Sequence, residues 1–388
     1  MDRKYCALYL SLLFVLGTLV RSENVTASTA DNITIPEPNF LTWLPEYRNF
    51  FQTVLVDNCT TEYQEFERLN GFSNKDGTNS VINCLLENTD EWRKANIASA
   101  VVLLGLLPTI LGLTGSHVAE LAIVGCFRPF LTFFLICAAP GMNPSPALTS
   151  MDPLSILEAR KRGRGFRLPK WAPGWVVVLA EYGAVTGALI NLIFTLRGIQ
   201  IGTVISFAPT HGLYWIWLIA AYLVFLVGYY ALLARVTRNT LRVPDNRLLQ
   251  YIWRWSPKIC HVLQCLKLEF TTTLPGQDMS LTLKRETSFF ILLSWLNAVG
   301  TALHLLLGTI LFSSTLFIAT GDAFVIGARI LASHLVCRIV AAFELAGLRA
   351  TVRADYGDEE NQSIVEQLDH SEKNPESTQV KLVLSTSV

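Results

Sequence analysis

Residues 288–312 read SFFILLSWLNAVGTALHLLLGTILF and contain no Asp, Glu, Lys or Arg. An α-helix rises ~1.5 Å per residue, so ~20 apolar residues are enough to cross the ~30 Å hydrocarbon core of a bilayer. Five more apolar runs of similar length lie at residues 97–115, 118–139, 175–196, 213–234 and 323–346. This pattern predicts an all-α, polytopic membrane protein with five or six transmembrane helices and a small N-terminal lumenal or extracellular domain.

The composition supports the same class. Of the 388 residues, 51% are hydrophobic and 16% are charged, which is too apolar for an ordinary soluble domain. The net charge of zero hides a segregation, because residues 23–95 carry 5 Lys or Arg against 12 Asp or Glu. Residues 96–348 carry 19 basic against 10 acidic residues, and residues 349–388 carry 4 against 8. Acidic ends therefore flank a basic membrane region.

Residues 1–22 are typical of a secretory signal peptide. Arg3 and Lys4 precede an apolar stretch at residues 6–20, and small residues suited to cleavage follow it. Cleavage would leave residues 23–95 in the lumen or outside the cell. An uncleaved signal anchor with a cytosolic basic end would place them on the same side.

Residues 23–95 carry the marks of an exported domain. Asn24, Asn32 and Asn58 each begin an N-x-Thr glycosylation motif. Cys59 and Cys84 are expected to form a disulfide in this oxidising compartment, and closing a loop of that length contributes on the order of 3 to 3.5 kcal/mol. Aromatic residues recur at helical spacing, which indicates that they form the core of a small helical domain.

The stretch around residues 90–110 resembles a known sequence type. Residues 90–100, DEWRKANIASA, and residues 105–110, GLLPTI, are similar to a segment of uncharacterised multi-pass membrane proteins of filamentous fungi. The resemblance implies a fungal source and a membrane location. It implies no activity, cofactor or functional residue.

The run at residues 118–139 decides the topology. Basic connections at residues 160–170 and 235–286 should be cytosolic by the positive-inside rule, which requires an odd number of crossings before them. Arg128 and Pro129 interrupt this run at its middle, where an arginine costs about 2.5 to 3.5 kcal/mol, and neither half spans a bilayer. We expect a broken, re-entrant or interfacial hairpin; a full sixth crossing is the alternative.

The remaining segments follow from this topology. A helical membrane domain is predicted at residues 96–347, and a disordered, acidic cytosolic tail at residues 348–388. The six basic residues at 160–170 favour contact with anionic lipid, and nucleic acid is not expected as a partner.

A short amphipathic helix is predicted at residues 258–267, on the membrane surface. Cys260, His261 and Cys265 lie in it, but their spacing does not match a zinc site, so no metal is predicted. The two cysteines are either palmitoylated or unmodified, inert thiols, and the sequence does not distinguish these alternatives.

Ionisable residues at bilayer depth are the candidates for a functional site, because each costs free energy unless it is paired or hydrated. We single out six of them as a possible ligand or ion pathway, with structural pairing as the alternative: Arg128, Glu181, His304, Arg329, His334 and Arg338. His334 is expected at the centre of a polar cluster, with Glu181 or His304 as partners. Gly183, Gly187 and Asn191 fall four apart and predict a helix-packing stripe.

The sequence does not indicate an enzyme. It contains no nucleophile with a matched base, no HExxH motif and no cofactor fingerprint, so no catalytic residue and no cofactor are assigned. The leading hypothesis is a non-enzymatic sensor or scaffold of the secretory pathway, at the plasma membrane. The alternative is a transporter or channel that uses Glu181 and His334.

Overall fold

The computed structural model describes residues 40, 42–69, 72, 75–143, 174–207, 212–239, 269–270, 279–283 and 286–356. Several predictions fall outside these residues: the signal peptide, the glycosylation sites Asn24 and Asn32, the basic connection at residues 160–170, the amphipathic helix with Cys260, His261 and Cys265, and the tail beyond residue 356.

The described part of the chain contains ten helices. They are α1 (Arg48–Asp57), α2 (Thr60–Arg68), α3 (Lys75–Glu87), α4 (Glu91–Thr114), α5 (Val118–Phe127), α6 (Pro129–Ala138), α7 (Gly174–Gly202), α8 (Leu213–Arg235), α9 (Ser288–Ser313) and α10 (Thr320–Thr351). Seven short strands accompany them: β1 (Ser116–His117), β2 (Met142–Asn143), β3 (Val204–Ile205), β4 (Val236–Asn239), β5 (Met279–Leu283), β6 (Thr315–Leu316) and β7 (Val352–Tyr356).

Helices α1 to α3 form the predicted N-terminal helical domain. Phe51 and Phe66 are buried in its core, as their helical spacing predicts. The disulfide between Cys59 and Cys84 is present, with the two Cα atoms 5.9 Å apart, and it joins the start of α2 to α3. The predicted disulfide is thereby confirmed.

Five helices, α4 and α7 to α10, are long and apolar enough to cross a membrane, within the described residues. Large apolar side chains cover their outer faces. Phe194 on α7, Leu292 on α9 and Ile339 on α10 are each at least 60% exposed. An exposed apolar surface of this kind is unusual for a soluble protein, and it identifies the outer face that hydrocarbon would cover.

The helix order gives the bundle two distinct ends. Asn96 near the start of α4 accepts a hydrogen bond from the backbone of Thr320 at the start of α10, and Leu44 of the N-terminal domain packs over Gly202 at the end of α7. The connections α7–α8 and α9–α10 therefore lie at the end that carries the N-terminal domain, where β3 pairs with β6. The starts of α7 and α9 and the ends of α8 and α10 lie at the opposite end.

The run at residues 118–139 is a helical hairpin. It is divided at Arg128 into α5 and α6, of 10 residues each. Strands β1 and β2, which precede and follow it, pair with each other and so bring the two ends of the hairpin together. A Cβ atom on Gly141 would lie 2.5 Å from Leu111 Cβ, so this close return needs glycine. The arrangement agrees with the expected broken hairpin and not with a single sixth spanning helix.

A three-stranded sheet of β4, β5 and β7 lies at the end opposite the N-terminal domain. It corrects the predicted tail boundary, because residues 348–356 belong to α10 and to β7. The physical reasons are that Leu348 is fully buried and that β7 pairs in parallel with β5. The predicted disorder from residue 348 is therefore wrong for these nine residues.

Of the predicted small-residue stripe, Asn191 contacts Arg329 and Ser333 of α10, whereas Gly183 and Gly187 pack against none of the residues that the structure describes. Gly183 and Gly187 are exposed, and a Cβ atom at either would meet nothing within 4 Å. Close helix packing occurs instead at Gly308 of α9, which lies against Trp217 and Pro108. Repeating small residues mark a possible contact face, but they do not say which helix, if any, covers it.

Candidate functional site

Arg128 lies at the centre of a buried ionic cluster. Its side chain is fully buried at the break between α5 and α6. Pro129 disfavours helical backbone at the residue before it, and Arg128 has φ −131° and ψ 74°. Because the backbone of Arg128 is not helical, its side chain extends from the break between α5 and α6 towards α7 and α10.

Two carboxylates bind the same nitrogen of this guanidinium. Arg128 Nη1 donates to Glu181 Oε2 of α7 at 2.5 Å and to Glu344 Oε1 of α10 at 2.6 Å. Both glutamates are buried, with 5% and 0% of their surface exposed. One arginine thus joins the hairpin to two long helices.

Glu269 approaches the same place from a separate part of the chain. Its main-chain oxygen accepts from Arg128 Nε at 3.1 Å. Its carboxylate accepts from the backbone N–H groups of Leu131 at 2.8 Å and Phe130 at 3.2 Å, and from the Tyr182 hydroxyl at 2.5 Å. These backbone donors belong to the first turn of α6, where a helix has unpaired N–H groups and favours an anion.

Burial raises the pKa of the Glu269 carboxyl, and the hydrogen bonds from Tyr182 and the α6 backbone partly oppose that rise. We refer to Arg128, Glu181, Tyr182, Glu269 and Glu344 as the Arg128 cluster. It contains three carboxyl groups and one guanidinium. Two of its buried atoms, Arg128 Nη2 and Glu181 Oε1, have no hydrogen-bond partner among the residues that the structure describes.

A second ionic cluster holds the start of the hairpin. Arg338 Nη1 donates to Glu120 Oε2 at 2.6 Å and to Ser116 Oγ at 2.9 Å. Arg349 lies 3.8 Å from the other oxygen of Glu120. In this cluster two guanidinium groups face one carboxylate, which is the opposite balance to the Arg128 cluster.

The two histidines belong to neither cluster, although His334 lies one helical turn from Arg338 on α10. His304 Nε2 lies 3.1 Å from the Pro140 carbonyl oxygen, and its ring stacks on Trp217 with centroids 5.3 Å apart. His334 is buried, and neither ring nitrogen has a hydrogen-bond partner within the described ranges.

The expected polar cluster around His334 is therefore not formed by Glu181 or His304. Glu181 packs at the depth of Glu344, which lies ten residues beyond His334 on α10 and hence about 15 Å along the helix. His304 bonds the backbone at the end of the hairpin instead. Arg329 is exposed, and its Nε donates to Asn191 Oδ1.

The structure thus brings together two of the six candidates, Arg128 and Glu181. It pairs Arg338 elsewhere and leaves His304, Arg329 and His334 separate. The sequence analysis does not include Glu344 as a partner of Arg128 or Glu120 as a partner of Arg338. Both glutamates lie within apolar runs, so a search of these runs for acidic residues that could neutralise the arginines finds them. The sequence gives no indication that Glu269 belongs to the cluster, because this residue lies outside the apolar runs, in the long connection at residues 235–286.

The cluster does not have the composition of a metal centre. No group of three or more His, Cys, Asp or Glu side chains is placed to hold a metal ion in the described part of the chain. Cys137 and Cys337 carry free thiols there.

Comparisons with known proteins do not extend this description. No protein-family model matches the chain, and no curated protein and no solved structure matches it. The function has to be argued from the contacts themselves.

Proposed function

We propose that this chain is a multi-pass integral membrane protein of the secretory pathway, at the plasma membrane, that acts as a non-enzymatic sensor or scaffold. Five long apolar helices with exposed apolar faces support the membrane assignment. The chain should stay in the pellet after an alkaline carbonate wash and should be released only by detergent. Recovery in the supernatant would refute the membrane assignment.

The observation that carries the sensor proposal is that the N-terminal domain and the helix bundle share one hydrophobic core. Phe317, in the α9–α10 connection, packs against Trp43 and Phe51 with ring centroids 5.5 and 5.1 Å apart. Phe317 has φ 64°, a left-handed backbone conformation that is costly for an aromatic residue and is held by this packing.

Polar contacts reinforce the same junction. The backbone N–H of Glu46 donates to Asp322 Oδ2 at 3.1 Å, in the first turn of α10. A ligand that moved the N-terminal domain would therefore act directly on α10, the helix that carries Glu344 and Arg338. This provides a route from the exported domain to both ionic clusters.

Replacement of Phe317 by Ala tests the proposed coupling. Removal of a fully buried aromatic ring costs about 3 to 5 kcal/mol, and we expect the N-terminal domain to detach before the bundle unfolds. Hydrogen exchange of the purified protein in nanodiscs should rise at residues 42–69 and 75–87 and stay unchanged in α7 and α8. Phe324→Ala is the matched control, because Phe324, in the first turns of α10, is 65% exposed. Equal exchange in both variants would contradict the coupling.

A transporter or channel is the second candidate, and the buried Arg128 cluster is the observation that favours it. Charged groups at this depth commonly line ion or proton pathways. Glu181→Gln with His334→Gln should abolish solute- or proton-dependent flux into proteoliposomes if the protein is a transporter. Wild-type protein that shows no flux above empty liposomes, together with a positive Phe317→Ala result, would favour the sensor.

We further propose that anionic lipid contacts the basic connection at residues 160–170. Binding of detergent-solubilised protein to vesicles with phosphatidylserine should weaken when these basic residues are replaced by Gln. Binding to vesicles of phosphatidylcholine alone should be weaker for the wild type from the start. Equal binding to both vesicle types would refute the lipid contact.

A further inference from the structure

Arg329 is an exposed arginine within the apolar outer face of the helix bundle. It lies nine residues after Thr320, where α10 begins, and therefore about 13 Å along the helix from the end that carries the N-terminal domain. Val325, one turn before it, and Val336, two turns after it, are both exposed apolar residues. The guanidinium is thus a single positive charge on a surface that is otherwise suited to hydrocarbon.

The contact between α4 and α10 indicates the depth of Arg329 in a bilayer. Asn96 accepts a hydrogen bond from the Thr320 backbone, and the apolar run of α4 begins at the next residue, Ile97. The edge of the hydrocarbon on this side therefore lies near Thr320. Since the hydrocarbon core is ~30 Å thick, Arg329 lies close to its midplane. An arginine at this depth costs free energy unless it is paired or hydrated.

A hydrogen bond holds the side chain of Arg329 at this depth. Its Nε donates to Asn191 Oδ1 of α7 at 3.1 Å. The amide nitrogen of Asn191 donates in turn to the main-chain oxygen of Arg329 and to Ser333 Oγ. Asn191 therefore lies between the levels of Arg329 and Ser333, and the guanidinium is directed across the α7–α10 surface. It does not extend towards the headgroups, as arginines near helix ends commonly do.

The long helices of the chain offer no carboxylate to this guanidinium. Among the residues that the structure describes, Arg329 has no salt bridge, and its Nη1 and Nη2 atoms have no hydrogen bond. The acidic residues of the five long helices lie elsewhere. Glu181 and Glu344 are buried beside Arg128, and Glu91 and Asp322 lie at the end with the N-terminal domain. The long helices of a second copy would bring no carboxylate to this depth either.

The surface beside Arg329 allows another helix to approach closely. Gly187 precedes Asn191 by one turn of α7, and Gly183 precedes Gly187 by one more. Both glycines are exposed, and a Cβ atom at either would meet nothing within 4 Å. Small residues four apart let the backbones of two transmembrane helices come together. The glycines provide the shape of a contact surface, and Arg329 provides the charge that selects what binds there.

We propose that Gly183, Gly187 and Asn191 of α7, together with Arg329 of α10, bind a transmembrane helix of another protein that carries an Asp or Glu near the bilayer midplane. We refer to these four residues as the Arg329 face. The Nη1 and Nη2 groups donate to the two oxygens of the partner's carboxylate, which is a strong arrangement because both groups are charged. Pairing compensates the cost of the exposed cation.

The inference rests on the proposed membrane location and gives the scaffold role a partner of defined chemistry. The alkaline carbonate wash tests the location by itself. Binding at the Arg329 face can fail in a protein that stays in the membrane, so the two failures are distinguishable.

The test is binding of a synthetic transmembrane peptide to the purified full-length protein in phosphatidylcholine liposomes. The probe is a Leu-Ala helix of about 22 residues with one central Asp. Energy transfer from a dye at the C-terminus of the protein to a dye on the peptide measures binding. The Asp peptide should bind roughly 10-fold more tightly than the same peptide with a central Leu, as polar contacts between membrane helices do. A peptide with a central Lys should bind no better than the Leu peptide.

Substitutions in the protein locate the contact. Arg329→Leu should abolish the preference for Asp, and Arg329→Lys should keep part of it because the charge remains. Arg197→Leu is the matched control, since Arg197 is also exposed on α7 but lies five residues before its end at Gly202, within reach of the headgroups. That variant should keep the full preference. Gly187→Ile should weaken binding of the Asp peptide because the side chain fills the surface.

Each contrary result identifies what is wrong. Equal binding of the Asp and Leu peptides to the wild type, or a preference that Arg329→Leu retains, would overturn the proposal. Unchanged binding to Gly187→Ile would refute the contact on α7. Energy transfer between two labelled copies of the protein that Arg329→Leu abolishes would assign the face to self-association instead. Enrichment of phosphatidylserine that depends on Arg329, without any preference for Asp, would assign the guanidinium to lipid headgroups and would equally overturn the proposal.

Discussion

A single guanidinium, that of Arg128, joins four separate parts of this chain. It belongs to the hairpin, binds Glu181 on α7 and Glu344 on α10, and donates to the main chain at Glu269. A buried ion pair is weak evidence for stability when compared with an apolar core, but removal of one partner is strongly destabilising. The residue is therefore best understood as a cross-link whose loss removes a cation from beside two buried carboxylates.

Replacement of Arg128 by Ala should lower the free energy of unfolding by about 3 to 5 kcal/mol, because the buried carboxylates lose their counter-ion. Thermal unfolding of detergent-solubilised protein measures the effect. Arg329→Ala is the control at an exposed arginine, and it should change stability by less than about 0.5 kcal/mol. Equal losses in the two variants would show that the cluster does not hold the fold together.

At the scale of single residues, the sequence indicates which ionisable side chains cost free energy at bilayer depth. It does not indicate which of these side chains contact each other. Arg128 and Glu181 were both selected because ionisable groups at bilayer depth need partners. Their mutual contact could not be predicted, because it depends on how far the hairpin extends between α7 and α10. His334 was selected by the same argument, and the structure leaves it away from the cluster.

The helices pack through close contacts at particular glycines and through the hairpin. Helix α9 carries Gly308, where an added Cβ atom would lie 2.5 Å from Trp217 Nε1 and 3.0 Å from Pro108 Cβ. On α7, by contrast, Gly183 and Gly187 face outward. The approximate positions of the five long helices could be predicted from apolar length, because that property is local, but their exact bounds and the choice between five and six could not. The packing face of each helix could not, since all sides of these helices are apolar.

Gly308→Ala should therefore lower the free energy of unfolding by about 1 to 3 kcal/mol, as over-packing of a tight interior does. Gly187→Ala is the matched control. Its Cβ atom meets nothing within 4 Å, and alanine favours a helix over glycine, so stability should stay equal or rise. Chemical or thermal unfolding of the two variants in the same detergent measures the difference. A loss at Gly187 as large as that at Gly308 would point to a partner on the outer face of α7.

The molecule as a whole has two unlike ends. One carries the disulfide-bonded N-terminal domain with the connections α7–α8 and α9–α10, and the other carries the sheet of β4, β5 and β7. This polarity could be expected from the sequence, because three of the four glycosylation motifs and the paired cysteines precede the first long apolar run, whereas the arginine-rich connections follow it. The shared core between the domain and the bundle was not predictable, since nothing local marks Phe317 as its partner.

The glycosylation pattern tests this polarity. Asn58 is exposed on the N-terminal domain, and a fourth glycosylation motif, N-Q-S at Asn361, follows α10 in the sequence. Peptide mass spectrometry of the protein expressed in a eukaryotic cell should find glycan at Asn58 and none at Asn361. Thr60→Ala removes the glycosylation motif at Asn58 but keeps the asparagine, and it should abolish the glycan at Asn58 alone. Glycan at Asn361 would invert the proposed orientation.

The position of Phe317 also has a consequence for biosynthesis. A ribosome completes residues 40–90 long before it reaches residue 317, yet this ring fills the core of the first domain. Until the α9–α10 connection has been synthesised, the aromatic rings of Trp43 and Phe51 lack their contact with Phe317. The apolar surface of the nascent domain is then accessible to chaperones. A chain that terminates early, after α8 for instance, would keep this aromatic surface open and would be recognisable to quality control as unfinished.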